Sequence, residues 1–234
     1  MSTRDDIPGR YASPPCLAGE IAPEYFDPLA VDPQQARDVA RWRKAERIAR
    51  LELRAALSMA QRRQIPEALA AHLDALLEAR FGALRGRVVS GYWPIKSEPD
   101  LRGWMGRLLD RGARLALPVV ETRAAPLVFR PWTPGDAMER GDWNIPVPVT
   151  TETVTPDIAL APLVGWDGAG YRLGYGGGYF DRTLAALHSR PFVIGVGLQE
   201  ARLATIFPQP HDIRLDAIVT EQGLQWSAPQ AGGA

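Results

Sequence analysis

The sequence is poor in cysteine and lysine and has no long apolar run. The single cysteine, Cys16, cannot form a disulfide within the chain and has no ligand partner at metal-binding spacing. A disulfide-rich secreted scaffold and a structural zinc site are therefore excluded. No apolar segment approaches the roughly 18 residues that cross a bilayer, and the N-terminus lacks the apolar centre of a signal peptide. We expect a cytoplasmic protein with no membrane partner.

The chain also lacks net charge, because 27 basic and 27 acidic side chains cancel. This balance, with no recognisable binding motif, argues against a nucleic-acid partner. Only Lys44 and Lys96 are lysines, so the positive charge is almost all arginine, which is well suited to phosphate and carboxylate. With 234 residues, 46% of them hydrophobic, the chain is long enough for one globular domain with a sizeable core.

Proline and glycine divide the sequence into three parts. Residues 1–33 hold six prolines without helical or strand periodicity, which predicts an extended or disordered arm. Residues 34–226 form the predicted domain, and 227–234 a flexible tail. The domain opens with a helix over residues 34–57, free of proline and glycine. Ser58 is the predicted N-cap of a second helix, 58–81, which Pro66 should interrupt or kink.

After Gly82 short apolar runs alternate with helical segments. The predicted strands lie at 87–93, 114–120, 126–132, 157–166, 192–198 and 215–220, and further helices at 101–112 and 180–188. Several strands are apolar on both faces, as in a parallel sheet covered by helices. We expect a three-layer open α/β sandwich with a mostly parallel, Rossmann-like sheet, preceded by a basic N-terminal helix. Ligands in such folds bind at the carboxyl ends of the strands.

The strongest functional signal is the segment GYRLGYGGGYFDR, residues 170–182. Four glycines within five residues let a ligand approach the backbone, and the helix that follows offers free N–H groups. Arg172 can neutralise phosphate oxygens, and Asp181 can hold a magnesium ion that bridges them. The same glycines would also suit a tight strand-to-helix connection. The segment is neither a P-loop nor a dinucleotide-binding turn, because its ending and its glycine spacing differ.

This segment resembles the signature of the 5-formyltetrahydrofolate cyclo-ligases. GYWPIKSEPD, GDWNIPVP and LDAIVTEQG resemble three other segments of that family and occur in the family's order. The resemblance covers residues 41–224 and leaves the N-terminal arm unmatched. It implies an enzyme that uses ATP and Mg²⁺ to convert 5-formyltetrahydrofolate to 5,10-methenyltetrahydrofolate, with ADP and phosphate as products. We expect this enzyme to be a monomer. The alternative is a non-catalytic folate- or nucleotide-binding protein of the same fold.

The resemblance also implies roles for individual residues. Arg172 and Asp181 would be catalytic, and Asp181 and Asp216 would hold the magnesium ion. Without the resemblance, Asp181 is a carboxylate at a helix N-terminus and Asp216 a solvated strand end. The predicted ATP-binding residues are Arg43, Lys44, Arg47, Arg172, Leu173, Gly174, Tyr175, Gly176, Gly177, Gly178, Tyr179 and Phe180.

Spacing places Arg43, Arg47, Arg50 and Arg54 on one stripe of the first helix. Such a stripe is most often a solvated charged face, and we expect this for Arg50 and Arg54. The resemblance assigns ATP contacts to Arg43 and Arg47.

Four residues are predicted to bind the folate. By the resemblance Glu98 contacts the donor-rich pterin edge and Trp93 is an apolar contact. Trp143 can offer a flat ring face and Tyr179 lines the same pocket. Ordinary packing is the alternative for both tryptophans. The three histidines, His72, His188 and His211, are scattered along the sequence, and we assign them no role.

Overall fold

A computed structural model describes residues 33–229, so the predicted N-terminal arm and most of the C-terminal tail lie outside the described residues. The chain divides after Val39 into two units. The described part of the first unit is the start of helix α1, Pro33–Ala55. The second unit, from Ala40, holds the rest of α1, helix α2 (Met59–Phe81), helix α3 (Arg102–Asp110), helix α4 (Tyr179–Ala186) and the sheets described below.

Helix α2 begins and continues for identifiable reasons. Ser58 is confirmed as its N-cap: the Ser58 hydroxyl accepts from the Gln61 N–H, and the Gln61 side chain accepts from the Ser58 N–H, which completes a capping box. The expected interruption at Pro66 is wrong, because α2 runs through it. An internal proline costs about 3 kcal/mol. Burial of one apolar face offsets this cost, through Ile65, Leu69, Ala70, Leu73 and Leu77.

Among the residues that the structure describes, the central sheet has seven strands, and the predicted open α/β fold with a mostly parallel sheet is confirmed. Its order is β12-β11-β9-β6-β1-β2-β3, with antiparallel pairing only at the two edges. The strands are β1 (Val88–Ser90), β2 (Arg114–Val119), β3 (Val128–Pro131), β6 (Ile158–Pro162), β9 (Phe192–Val196), β11 (Ala217–Thr220) and β12 (Gly223–Ser227). Helix α2 packs on β11 and β12, and α3 packs on β2. Strand β1 is buried throughout, as a strand covered on both faces must be.

Two small sheets extend this framework. The predicted strand 157–166 is two strands, because the chain leaves the central sheet after Pro162 and begins β7 (Gly165–Asp167). Strand β7 lies between β10 (Arg202–Leu203) and β8 (Arg172–Leu173). The glycine-rich segment therefore leaves β8 and not a strand of the central sheet. A hairpin of β4 (Met138–Arg140) and β5 (Pro146–Pro148) forms the other sheet. No helix among the described residues is long and apolar enough to span a membrane.

Replacement of Ser58 by alanine should lower the free energy of unfolding by about 1 kcal/mol, because the Gln61 N–H loses its acceptor. Ser58→Asp is the matched control, since aspartate keeps a side-chain oxygen that can accept from the Gln61 N–H. Denaturant unfolding of the three chains measures both values. Equal losses in the two variants would show that the capping bond contributes nothing.

Candidate active site

The glycine-rich segment forms a turn between β8 and α4. Gly176 and Gly178 have φ angles of 101° and 64°, a region that L side chains rarely adopt. A Cβ on Gly176 would lie 3.4 Å from Cζ of Arg47, so a side chain there would fill the space beside that guanidinium. Gly178 is the N-cap of α4 and has no capping side chain. The first N–H groups of α4 and the positive end of its dipole therefore face the turn.

Three arginines lie around this turn. Arg47 donates from Nε to the carbonyl oxygen of Gly174 at 2.7 Å. Arg43 is buried and donates to the carbonyl oxygens of Ile206 and Phe207, each at 2.9 Å. Burial, and then the positive charge of Arg43, lower the pKa of the Arg47 guanidinium. Arg172 is also buried, and this burial lowers its pKa. The structure thus places the guanidinium groups of Arg47 and Arg172 beside the glycine-rich turn, and Arg43 lies close enough to Arg47 to lower its pKa.

Two carboxylates balance this charge in part. Asp181 pairs with Nη2 of Arg172 at 2.9 Å and accepts the Ile213 N–H at 3.1 Å. Asp212, next in sequence to Ile213, pairs with Arg43. The negative charges of Asp181 and Asp212 both oppose the lowering of the Arg172 pKa. The cluster therefore holds two carboxylates and three guanidinium groups, which leaves an excess of positive charge.

The two predicted metal ligands have separate surroundings. Asp216 precedes β11, where it pairs with Nη1 of Arg190 at 2.8 Å and accepts the Val193 N–H at 2.7 Å. Asp181 has neither of these partners. Within residues 33–229 no group of three or more His, Cys, Asp or Glu side chains is placed to hold a metal ion. The assignment of Asp216 as a ligand stays a prediction.

Glu98 lies in the loop between β1 and α3 and is only 7% exposed. Its Oε2 accepts the Ile95 N–H at 2.8 Å, and its Oε1 accepts the Tyr175 hydroxyl at 2.7 Å. Burial raises the pKa of the Glu98 carboxyl, and these two hydrogen bonds oppose the rise. Between Ile95 and Glu98, Lys96 and Ser97 have φ angles of 46° and 60°. They form a left-handed bend that is unfavourable for residues other than glycine. The loop thus holds a buried carboxylate against the glycine-rich turn.

Two of the predicted substrate-binding aromatic residues are in contact. Trp143 lies at the tip of the β4–β5 hairpin with φ at 52°, and its side chain is 63% exposed. Its ring meets the ring of Tyr179 edge to face, with centroids 5.3 Å apart. The Tyr179 hydroxyl accepts the Ala124 N–H at 3.2 Å. The exposed ring of Trp143 therefore stands beside the start of α4.

Three further predicted residues differ in their surroundings. Trp93 is half-buried and packs edge to face on Trp132, with Arg102 4.6 Å above its ring. Lys44 is exposed on α1. Phe180 packs against the core, and Arg172 lies 5.1 Å above its ring. The described contacts do not join Trp93 to the pair of Trp143 and Tyr179.

Sequence reasoning missed three charged residues of this region. The expectation that Arg54 is solvated is wrong, since its side chain is buried and bonded to the Tyr175 hydroxyl. Asp212 was not singled out, although it lies four residues before Asp216. Asp167 is buried and accepts the N–H groups of Ala169 and of Ile206, which fixes the chain on either side of the site. No local pattern distinguishes these side chains from surface charges, because each has a partner distant in sequence: Tyr175 for Arg54, Arg43 for Asp212 and Ile206 for Asp167.

Fold and site together define an α/β protein with a glycine-rich turn at a helix N-terminus, flanked by arginines. Residues 39–221 match the model of the 5-formyltetrahydrofolate cyclo-ligase family. The chain belongs to this family, as the four motifs predicted, and the membership confirms the predicted class of enzyme, a ligase.

Named relatives agree with this assignment. The chain is 35% identical to a 5-formyltetrahydrofolate cyclo-ligase of Mycolicibacterium smegmatis, over 72% of this chain and 92% of the relative. An NMR structure of the Aquifex aeolicus 5,10-methenyltetrahydrofolate synthetase is 27% identical, with a TM-score of 0.64, and the match covers 81% of this chain and 97% of that one. A Mycoplasma pneumoniae 5,10-methenyltetrahydrofolate synthetase shares the fold, with a TM-score of 0.61 at 24% identity, over 76% and 98% of the two chains.

Proposed function

We propose that the protein converts 5-formyltetrahydrofolate and ATP to 5,10-methenyltetrahydrofolate, ADP and phosphate, with Mg²⁺. The observation that carries this proposal is the set of three guanidinium groups from Arg43, Arg47 and Arg172 beside the glycine-rich turn. In this family such a site would receive the triphosphate. The relatives named above supply the folate substrate class.

The reaction explains why a triphosphate is needed. A formyl oxygen is a poor leaving group, so the enzyme would first transfer the γ-phosphoryl group of ATP to it. The other folate nitrogen then attacks the formyl carbon, and the oxygen departs as phosphate. Phosphoryl transfer depends on positioning and charge stabilisation more than on a nucleophilic side chain. The arginine cluster is suited to this requirement.

The triphosphate would lie along residues 172–180. The N–H groups at the start of α4 would donate to phosphate oxygens, and Arg172 would neutralise the transferred group. Arg43 and Arg47 would contact the same phosphates from α1, with the exposed Lys44 nearby. Arg172 fits this role, because its buried Nε–H finds no acceptor within the described residues.

The carboxylates of the cluster fit a magnesium ion. Mg²⁺ usually keeps several waters and is held by one or two carboxylates and substrate phosphates, so a cage of three acidic residues is not required. Asp181 would be one ligand, and Asp212 lies within the same arginine cluster. Asp216 remains the second ligand predicted from sequence. When bound, the ion would neutralise charge on the phosphates.

The folate would lie on the other side of the glycine-rich turn. Glu98 would accept hydrogen bonds from the pterin edge through its carboxylate, which the Ile95 N–H and the Tyr175 hydroxyl hold in place. The exposed ring of Trp143 and the adjoining Tyr179 would cover the substrate, and Trp93 is a further predicted contact. We propose that the protein acts as a cytoplasmic monomer on these two small molecules.

Release of ADP tests this function against the non-catalytic alternative. Purified protein with ATP and Mg²⁺ should form ADP only when 5-formyltetrahydrofolate is added. Binding of either ligand without any ADP would support a binding protein. ADP formation that is independent of the folate would indicate a different acceptor for the phosphoryl group.

Arg47→Ala should raise the KM for ATP by about tenfold, the loss expected when one hydrogen bond to a charged group is removed. The hydrogen bond from Nε of Arg47 to the carbonyl oxygen of Gly174 places this guanidinium beside the proposed phosphate site. Arg50→Ala is the matched control, because Arg50 lies on the same helix but bonds Glu46 and the carbonyl oxygen of Glu200. Steady-state kinetics with varied ATP measures both variants. Equal, small changes in the KM for ATP of the two variants would indicate that Arg47, like Arg50, makes no contact with the phosphates.

A further inference from the structure

A buried chain of hydrogen bonds joins α1, the glycine-rich turn and the loop that carries Glu98. Nη2 of Arg54 donates to the Tyr175 hydroxyl, which in turn donates to Oε1 of Glu98 at 2.7 Å. Arg54 is only 4% exposed, and Glu98 is also buried. The cation and the anion therefore compensate each other through a neutral hydroxyl, as buried charges require.

Arg54 also binds two backbone segments. Its Nε donates to the carbonyl oxygen of Lys96 at 3.1 Å, within the left-handed bend before Glu98. Its Nη1 donates to the carbonyl oxygen of Leu163 at 3.2 Å, where the chain passes from β6 to β7. The planar fork of an arginine reaches three segments at once, and a lysine would offer one point charge instead. Arg54 thus fixes the position of the loop and of the Tyr175 hydroxyl together.

We propose that Arg54 is a positioning residue that acts through Tyr175 on Glu98, and that this chain of bonds couples folate binding to nucleotide binding. The inference rests on the proposed function, because it takes Glu98 as the folate contact and the glycine-rich turn as the phosphate site.

The position of Tyr175 is the reason for expecting coupling. Its backbone belongs to the turn that would hold the triphosphate, whereas its hydroxyl orients the carboxylate that would hold the folate. Ordering of the turn by a nucleotide therefore strengthens the hold on Glu98, and ordering of Glu98 by a folate favours the bound form of the turn. Such coupling is reciprocal by thermodynamic necessity. A clamp that serves only stability would change neither affinity in response to the other ligand.

Affinities measured separately and together test the coupling. The dissociation constant of 5-formyltetrahydrofolate is measured by titration calorimetry with and without a non-hydrolysable ATP analogue and Mg²⁺. In the wild type the analogue should tighten folate binding by about fivefold or more, the lower end of common allosteric couplings. Tyr175→Phe removes only the hydroxyl. In this variant the ratio of the folate dissociation constant without the analogue to that with it should be close to unity.

Substitutions at Arg54 complete the series. Arg54→Lys keeps the charge but loses the fork, so its ratio should fall between those of the wild type and Tyr175→Phe. Arg50→Ala, on the same helix, should keep the full ratio. Thermal unfolding of each variant shows how much stability is lost. General destabilisation would weaken folate binding equally with and without the analogue, and the ratio of the two dissociation constants would not change. The ratio therefore separates a positioning role from a purely structural one.

The pH dependence of folate binding gives a second readout. The groups that face Glu98 are Tyr92, Tyr175, Arg54 and Lys96. The Tyr175 hydroxyl and the two cations lower the pKa of Glu98 against the effect of burial. Without the hydroxyl this pKa rises, so the loss of folate affinity on acidification should begin at a higher pH in Tyr175→Phe.

Two results would overturn the proposal. One is a wild-type ratio of unity, and the other is an unchanged ratio in both Tyr175→Phe and Arg54→Lys. Failure of the proposed function is a different observation, since it would appear as a wild-type protein that forms no ADP from ATP and 5-formyltetrahydrofolate.

Discussion

Asp181→Asn should lower turnover by about a hundredfold or more, which corresponds to roughly 3 kcal/mol of lost transition-state stabilisation. Asparagine keeps the size of the side chain but removes the charge that would hold magnesium against the phosphates. It also breaks the ion pair with Arg172, a side chain that is almost fully buried. Single-turnover kinetics at a temperature well below the unfolding midpoint measures the chemical loss apart from the structural one.

Asp216→Asn is the matched comparison. The Asp216 side chain is 17% exposed and that of Asp181 16%. Each carboxylate pairs with one arginine and accepts a hydrogen bond from one backbone N–H. If both hold the same ion, both variants lose turnover, and the double variant loses less than the sum. Normal turnover in Asp216→Asn would show that Asp216 is not a magnesium ligand and serves only as the partner of Arg190. Near-normal, magnesium-dependent turnover in Asp181→Asn would leave that residue as a helix-terminal carboxylate.

The second large effect is expected at Glu98. Glu98→Gln should raise the KM for 5-formyltetrahydrofolate by about 10- to 100-fold, because hydrogen bonds to a charged group contribute about 1.5–3 kcal/mol. The KM for ATP should change much less. Asp100→Asn is a control in the same loop, since Asp100 is partly exposed and paired with Arg102. Equal effects of the two substitutions on the folate KM would remove Glu98 from the binding site.

The pKa of Glu98 predicts the direction of the pH effect. Burial raises this pKa above the ordinary value for a glutamate. The carboxylate that would accept the pterin hydrogen bonds is therefore protonated at a higher pH than an ordinary glutamate, and folate affinity should fall as the pH drops through the raised pKa. Glu98→Gln has no such group. Its weaker folate binding should show no fall over that range, and a fall identical to the wild type would assign the titration to another residue.

Much of the fold follows from local sequence patterns. The alternation of apolar runs with helical segments after Gly82 predicts the mostly parallel sheet, and Ser58 predicts the start of α2. Pro66 shows the limit of this reasoning, since tertiary burial of α2 outweighs a local preference. The break after Pro162 likewise depends on pairing with β8, a partner that no local pattern reveals.

The site follows the same division. The glycine-rich segment can be recognised from sequence because its residues are adjacent. Arg172 and Asp181, which form an ion pair, are only nine positions apart. Arg54 and Glu98 lie 44 positions apart, and the link between them is the Tyr175 hydroxyl, a further 77 positions beyond Glu98. A helical wheel shows Arg54 only as one member of a charged stripe. Its burial becomes apparent only when three distant segments are brought together.

Formation of the methenyl product is the most direct test of the proposed function. Purified protein is mixed with 5-formyltetrahydrofolate, ATP and Mg²⁺, and the absorbance of the methenyl chromophore is followed together with ADP. Both should appear in equal amounts, and neither should appear when ATP or Mg²⁺ is left out. Methenyl formation without ATP, or ADP formation without the methenyl product, would contradict the proposed function.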